Sequence, residues 1–201
     1  LVKNINELNN TNIDYFHLDV MDNVFVSHLS YTDEEIETIL SLSKKPLDVH
    51  LMVENPEEYL YIYNKNNAMY ITVHFEIMKN INIIDIIKLK GIKVGISVKP
   101  NTDIEKIYEL LPKIDMILVM SVEPGEGGQS FIESTIDRIR KLKNEIKQRG
   151  LDVLISVDGG INNATYKSCI DAGADILVIG SSLINSDNKI SFVNGIKNID
   201  T

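Results

Sequence analysis

Short runs rich in valine and isoleucine alternate along this chain with longer amphipathic stretches, and that alternation leaves few folds open. The runs are Tyr15–Val20, Leu47–Met52, Tyr70–His74, Lys93–Val98, Met116–Met120, Val153–Val157 and Ile176–Ile179. Several are apolar on both faces, as strands are when a parallel sheet is covered on both sides. The stretches between them carry helical spacing. Ile36, Ile39 and Leu40 share a stripe of Asp33–Leu42, and Ile132, Ile136, Ile139, Leu142 and Ile146 share a stripe of Ile132–Gln148. Pro56, directly after Asn55, predicts a helix over Pro56–Asn64 with proline at its first position. Gly150 stands where a helix C-terminal glycine is expected. Strand starts fall roughly every 20–35 residues, the length of a βα unit, so the strands are parallel and joined by crossover helices. Seven strands are expected, with an amphipathic helix-like segment ahead of the first. A closed eight-stranded barrel needs one more strand and a doubly wound open sheet does not. Alternation alone leaves both open.

With no linker, low-complexity tract or shift in composition, residues 1–201 are expected to form one domain, long enough to bury a full core. Its 20 basic and 29 acidic residues give a net charge of −9, which supplies no basic face for nucleic acid. An anionic small molecule would have to be held by backbone donors or a metal. The single cysteine, Cys169, excludes an internal disulfide and fits a reducing compartment, so a soluble cytoplasmic protein is expected. No apolar run approaches the ~20 residues of a membrane span, and the opening residues lack signal-peptide architecture. No membrane partner is expected.

Polar residues that are costly in a core gather at the strand ends. His17 and Asp19 lie two apart and share one face of their strand. His50 ends Leu-Asp-Val-His, His74 ends Ile-Thr-Val-His, and Asp158 ends Ile-Ser-Val-Asp. A single histidine at a strand end is most simply a hydrogen-bonding residue, but four ends of this character point further. In a parallel sheet every carboxyl end faces the same way, and sites are built on that edge. If the sheet closes, His17, Asp19, His50 and Asp158 can converge on a divalent Zn, Mn, Co or Fe ion. Two carboxylates at one centre also suit proton transfer on opposite faces of a carbon. His74 is equally readable as support for the site or as core, and His28 as a surface residue.

Glycines form a second constellation. Gly125, Glu126, Gly127 and Gly128 follow one strand, Gly159 and Gly160 the next, and Gly180 with Ser181 the last. Each could be only a tight turn. Together they occupy the positions where barrel enzymes hold a phosphate on backbone N–H groups. The residues alone therefore suggest a metal-assisted α/β enzyme that binds a phosphate ester and carries two acid–base carboxylates.

The segments His17–Asp22, Leu47–Val53, Val119–Phe131 and Val157–Gly160 resemble the ribulose-phosphate 3-epimerase family, in order and over essentially the whole chain. The resemblance implies a (β/α)8 TIM barrel that interconverts D-ribulose 5-phosphate and D-xylulose 5-phosphate. It implies that His17, Asp19, His50 and Asp158 bind one divalent metal ion. Asp19 would take the C3 proton and Asp158 return one from the other face, with the metal stabilising the cis-enediolate between them. Met21, Met52 and Met120 match the methionines that flank this planar intermediate, although core packing is a sufficient reason for each. Gly125–Gly128, Gly159, Gly160, Gly180 and Ser181 match the phosphate-binding positions, and His50 and Asp158 would also meet the substrate. A homo-oligomer is expected.

The chain departs from the family pattern in three places. After Asp22 the usual glycine and the stretch that follows it are replaced by Asn23, Val24, Phe25, Val26, Ser27 and His28. Glu126 replaces an apolar aromatic in the phosphate loop, so its carboxylate is expected to face solvent and weaken phosphate affinity modestly. The family's first strand, with a substrate-contacting serine, has no counterpart before Leu1, so the barrel is expected to lack its first N-terminal strand. Two other readings fit the same motifs: an epimerase of a six-carbon ketose phosphate such as D-allulose 6-phosphate, and a degenerate barrel that binds a sugar phosphate without turnover. The 3-keto-L-gulonate-6-phosphate decarboxylase type carries a lysine where this chain has Val20 or Met21, which counts against it.

Overall fold

The structure is a computed structural model that describes residues 1–198. Seven strands form one sheet: β1 (Phe16–Met21), β2 (Leu47–Met52), β3 (Ala68–His74), β4 (Lys93–Val98), β5 (Met116–Met120), β6 (Leu154–Asp158) and β7 (Ile176–Val178). All pair in parallel, and each neighbours the next in chain order. Such an order winds one way only, which rules out the doubly wound alternative, whose strand order reverses. The sheet is also curled. In a flat sheet β1 and β6, five strands apart, would stand about 24 Å from one another. Yet His17 of β1 and Asp158 of β6 approach to 4.0 Å between Nε2 and Oδ2. The fold is therefore a seven-stranded α/β-barrel wall, and the eighth strand of a closed barrel is not among the described residues.

Alternation along the strands sorts the side chains. Val49, Leu51, Ile71, Val73, Ile96, Ile117, Val119, Ile155 and Val157 belong to the main core and are fully buried. The other parity, including His17, Asp19, His50, Thr72, His74, Ser97, Ser156 and Asp158, faces the barrel interior, where Leu118, Met120, Val122 and Val178 form a small separate cluster. Helices cover the outside. The helix α1 (Val2–Leu8) precedes β1, and α2 (Asp33–Leu42) starts on a Thr32–Glu35 capping box. The helix α3 (Asn82–Leu89) precedes β4. The helix α4 (Thr135–Arg149) ends on Gly150 at φ 63°, the left-handed residue anticipated there. The remaining helices are α5 (Tyr166–Ala172), α6 (Ser181–Ile184) and α7 (Lys189–Lys197).

The outer edges of β1 and β7 carry no partner strand among the described residues. Their seam is bridged from outside. Leu8 of α1, Leu183 of α6 and Val193 of α7 bury one another, and Lys189 and Lys197 pair with Glu7 and Asp14 at 3.0 and 2.7 Å.

One predicted helix does not form. Pro56–Asn64 gives only a 3-10 turn at Pro56–Tyr59. Beyond it, Asn67 Oδ1 accepts from Asn64 N–H and Asn64 Oδ1 from Asn66 N–H, so side chains capture the backbone in turns.

Candidate active site

Register builds the site. Across β1 and β2 the paired positions are His17 with Asp48, Asp19 with His50, and Met21 with Met52; across β5 and β6, Met120 pairs with Asp158. Side chains at matched positions of one parity project together into the barrel mouth. One ligand atom from each of His17, Asp19, His50 and Asp158 lies within 4.8 Å of the other three. His17 Nε2 stands 3.2 Å from Asp19 Oδ1, and His50 Nδ1 stands 2.9 Å from the same oxygen.

The donors suit a divalent cation. His17 Nδ1 lies 2.8 Å from Asp48 Oδ2, and Nε2 is buried without a hydrogen-bond partner, so in the neutral ring Nδ1–H donates to Asp48 and Nε2 keeps the lone pair. An imidazole whose far nitrogen is held by a carboxylate is the usual arrangement of a metal-ligating histidine. The two imidazoles, two carboxylates and open cavity above them fit a site that leaves a position for substrate.

The electrostatics separate the two carboxylates. Burial opposes ionisation of Asp19, but His17 and His50 outweigh it and hold the carboxyl far below the usual range. Burial, reinforced by the neighbouring Asp19, pushes Asp158 upward against the pull of the same histidines. Burial disfavours a charged His17, yet Asp48 and Asp19 raise its affinity for a proton well above the ordinary value. A pair of carboxyls driven apart in this way is how one site holds a base beside an acid.

Behind this cluster runs a buried chain. His50 Nε2 lies 2.9 Å from His74 Nε2, and His74 Nδ1 lies 3.2 Å from Glu76 Oε2. Burial, more than anything else, lowers His74 to about 4. Burial would raise Glu76, but His74, the Thr102 hydroxyl and the Lys99 N–H hold it down to about 2.

A cavity of about 670 Å³ runs from the cluster, where His17, Asp19, Asp158, Met21, Met52 and Met120 line it, to the seam between β1 and β7, where Leu8, Leu183 and Val193 do. Gly125–Gly128, Gly159, Gly160, Gly180 and Ser181 line it as well, so both sequence constellations meet in one space. His50 sits apart from the lining, fully buried beneath Asp19. Gly160 has φ 63°, and a Cβ there would meet Phe131 N at 2.6 Å. Ser121 ties two of the loops: its N–H donates to the Asp158 carbonyl at 2.8 Å, and its Oγ lies 2.6 Å from that of Gly159. Glu126 is exposed, as anticipated, and so is His28. Asn23, standing where the family pattern has glycine, takes φ 58°, a region asparagine tolerates. Asp22 fastens the loop it opens, with Oδ1 accepting from Val24 and Phe25 N–H and Oδ2 from Glu54 N–H.

Three residues of the site were not found from the sequence. Asp48 could have been, because a β1–β2 register aligned on Asp19 and His50 sets it beside His17. Glu76 and Ser121 lie just past their strands and gave no period to follow.

A parallel barrel wall whose carboxyl edge gathers two histidines, two carboxylates and a ring of glycine loops defines an α/β-barrel enzyme with a candidate divalent-metal centre. The Ribulose-phosphate 3 epimerase family matches residues 1–184, and the chain belongs to that family. It is 38% identical over 181 residues to the ribulose-phosphate 3-epimerase of Mycobacterium tuberculosis (strain ATCC 25618 / H37Rv), covering 90% of this chain and 79% of that protein. It is 38% identical over 189 residues to the Bacillus subtilis (strain 168) ribulose-phosphate 3-epimerase, covering 92% and 87%. Among solved structures, phosphoribosyl anthranilate isomerase from Thermococcus kodakaraensis superposes with a TM-score of 0.66 at 13% identity, covering 100% of this chain and 95% of that one. That likeness speaks for the barrel alone. No helix of the described residues is long and apolar enough to cross a membrane.

Proposed function

We propose that the chain interconverts D-ribulose 5-phosphate and D-xylulose 5-phosphate by moving the proton on C3. The observation that carries this reading is that two carboxylates from different strands, Asp19 and Asp158, both reach His17 Nε2, at 3.2 and 4.0 Å. Inverting a carbon without an external acid needs one group to remove a proton from one face and another to deliver one to the opposite face. Asp19, held ionised by His17 and His50, is the base toward the C3 proton. Asp158, pushed toward its protonated form, is the acid from the other face, and the roles exchange in the reverse direction. Met21, Met52 and Met120 present soft apolar surface against a planar enediolate and keep water from it.

His17, Asp19, His50 and Asp158 would hold a divalent ion, with Zn, Fe, Mn and Co all compatible with the donor set. Such an ion supplies Lewis-acid polarisation of the C2 and C3 oxygens. The phosphate end falls to Gly125–Gly128, Gly159, Gly160, Gly180 and Ser181, where backbone N–H groups can meet an anion without a basic side chain. Glu126 stays in solvent and costs a little phosphate affinity through its charge. Cytoplasmic location is supported by the free buried Cys169, and association into a homo-oligomer is tested by sedimentation.

The deciding experiment mixes the protein with D-ribulose 5-phosphate and Zn²⁺ or Mn²⁺ and follows xylulose 5-phosphate, with deuterium uptake at C3 measured in parallel. Turnover with solvent exchange supports the two-carboxylate reaction. Retained phosphate-ester binding without turnover or exchange would make the protein a sugar-phosphate binder instead. Faster turnover of D-allulose 6-phosphate would move the substrate to six carbons.

A further inference from the structure

We propose that His74 and Glu76 are positioning residues that hold His50 in the one tautomer able to ligate a metal. The proposal rests on the metal-site reading above, but its own evidence is the direction of a hydrogen-bond chain.

That direction is settled from the far end. The Glu76 carboxylate can only accept. It is anchored by Lys99 N–H at 2.8 Å and by the Thr102 hydroxyl, and it faces His74 Nδ1 at 3.2 Å. His74 Nδ1 must therefore carry the proton. In a neutral imidazole the other nitrogen is then an acceptor, and His74 Nε2 faces His50 Nε2 at 2.9 Å. Two bare lone pairs cannot sit at that distance, so His50 Nε2 carries the proton and donates it. The consequence falls on the remaining nitrogen: in neutral His50 it is Nδ1 that keeps the lone pair, and Nδ1 is the atom aimed at the cluster, 2.9 Å from Asp19 Oδ1, where a cation would draw on both.

The opposite tautomer is the one His50 would otherwise choose. With Nδ1 protonated it would donate to Asp19, a strong charge-assisted bond, and its metal-facing lone pair would be lost. His74 blocks this choice because its bare Nε2 faces the fully buried His50 Nε2 at 2.9 Å and needs a proton from it. His74 is itself immobilised, fully buried and covered by the Phe25 ring at 4.7 Å between centroids, with Lys99 Nζ 4.1 Å from that ring. The two metal-side histidines thus reach the same end by different routes. His17 is fixed directly by Asp48, and His50 through a second imidazole by Glu76.

The test reads the tautomer itself. Imidazole nitrogen-15 NMR of the metal-free protein should show His50 protonated at Nε2, and His74→Phe, which keeps bulk but removes the acceptor, should move the proton to Nδ1. Calorimetric titration with Zn²⁺ should show the dissociation constant rising about 10- to 100-fold in the same variant. His74→Gln, whose side-chain oxygen can accept, should restore the Nε2 proton and most of the affinity. Glu76→Ala, on the outer and less buried end, should shift both readouts in the same direction and serves if His74→Phe does not fold. A lower melting temperature with tautomer and affinity unchanged would mean a structural role only and would overturn the proposal. Failure of the parent reading looks different: the wild type itself would take up no Zn²⁺ at the cluster, while the tautomer measurement would still decide this inference.

Discussion

The two halves of the cavity are made of different materials. On the β1–β3 side the groups are side chains in sequence: His17 bonded to Asp48, His50 to His74 and His74 to Glu76, with His50 Nδ1 beside Asp19. On the side of the loops after β5, β6 and β7 they are glycines, several in solvent, with Gly125, Gly128, Gly159 and Gly160 all at positive φ. The proposed proton transfer and metal ligation would need lone pairs aimed within tenths of an ångström, which rigid strands and neighbouring groups can provide. Anion binding needs bare N–H groups at close approach, which side chains would only obstruct. One half is specified by what is present, the other by what is left out.

Substitutions should therefore damage the halves in different quantities. The largest effect is expected for Asp19→Asn and Asp158→Asn, each lowering kcat about a thousandfold at saturating metal while KM changes little. A comparable loss in KM would mean that the carboxylates mainly bind. Next comes backbone geometry. Gly160→Ala should cost about 2 kcal/mol or more of folding stability, since its Cβ would strike Phe131 N at 2.6 Å. Gly127→Ala, with nothing within 4 Å of its Cβ, should stay within about 0.5 kcal/mol. Equal costs from denaturant melts would erase the distinction between the two loops.

A third prediction uses acid. The folded Glu76 carboxyl is held at about 2, below its ordinary 4.5. Its contribution is therefore present above pH 4.5 and drains away as pH falls toward 2. The Glu76→Gln protein should lose stability less steeply over that window, and parallel curves would count against the buried chain. The smallest effect belongs to Glu126→Phe: KM should fall about twofold at low salt with kcat unchanged, because an exposed charge is well screened.

Much of this was legible in the residues. Every apolar run became a strand within two residues of its expected ends, because residues buried on both faces leave an unbroken signal. His17, Asp19, His50 and Asp158 could be picked out because polar groups stand out at the ends of such runs. What could not be read was contact across strands and loops. Asp48 looked like one more strand residue until register set it beside His17, and Glu76 and Ser121 act from positions just past a strand, where no period exists. The Pro56–Asn64 helix failed for a local reason: asparagines competing for backbone groups leave no mark on hydrophobic spacing.

The strand order has a consequence for how the enzyme comes into being. Because each strand pairs with its predecessor, the sheet can lengthen as the chain emerges during synthesis, nearest contacts first. His17, Asp19 and His50 are neighbours by the second strand, whereas Asp158 is made more than a hundred residues later and reaches them only when the wall has bent round. A nascent chain can hold Asp19 early but acquires Asp158 almost last. With the two carboxylates acting as proposed above, catalytic competence is a late signal of completed folding, and no partly made product should turn over.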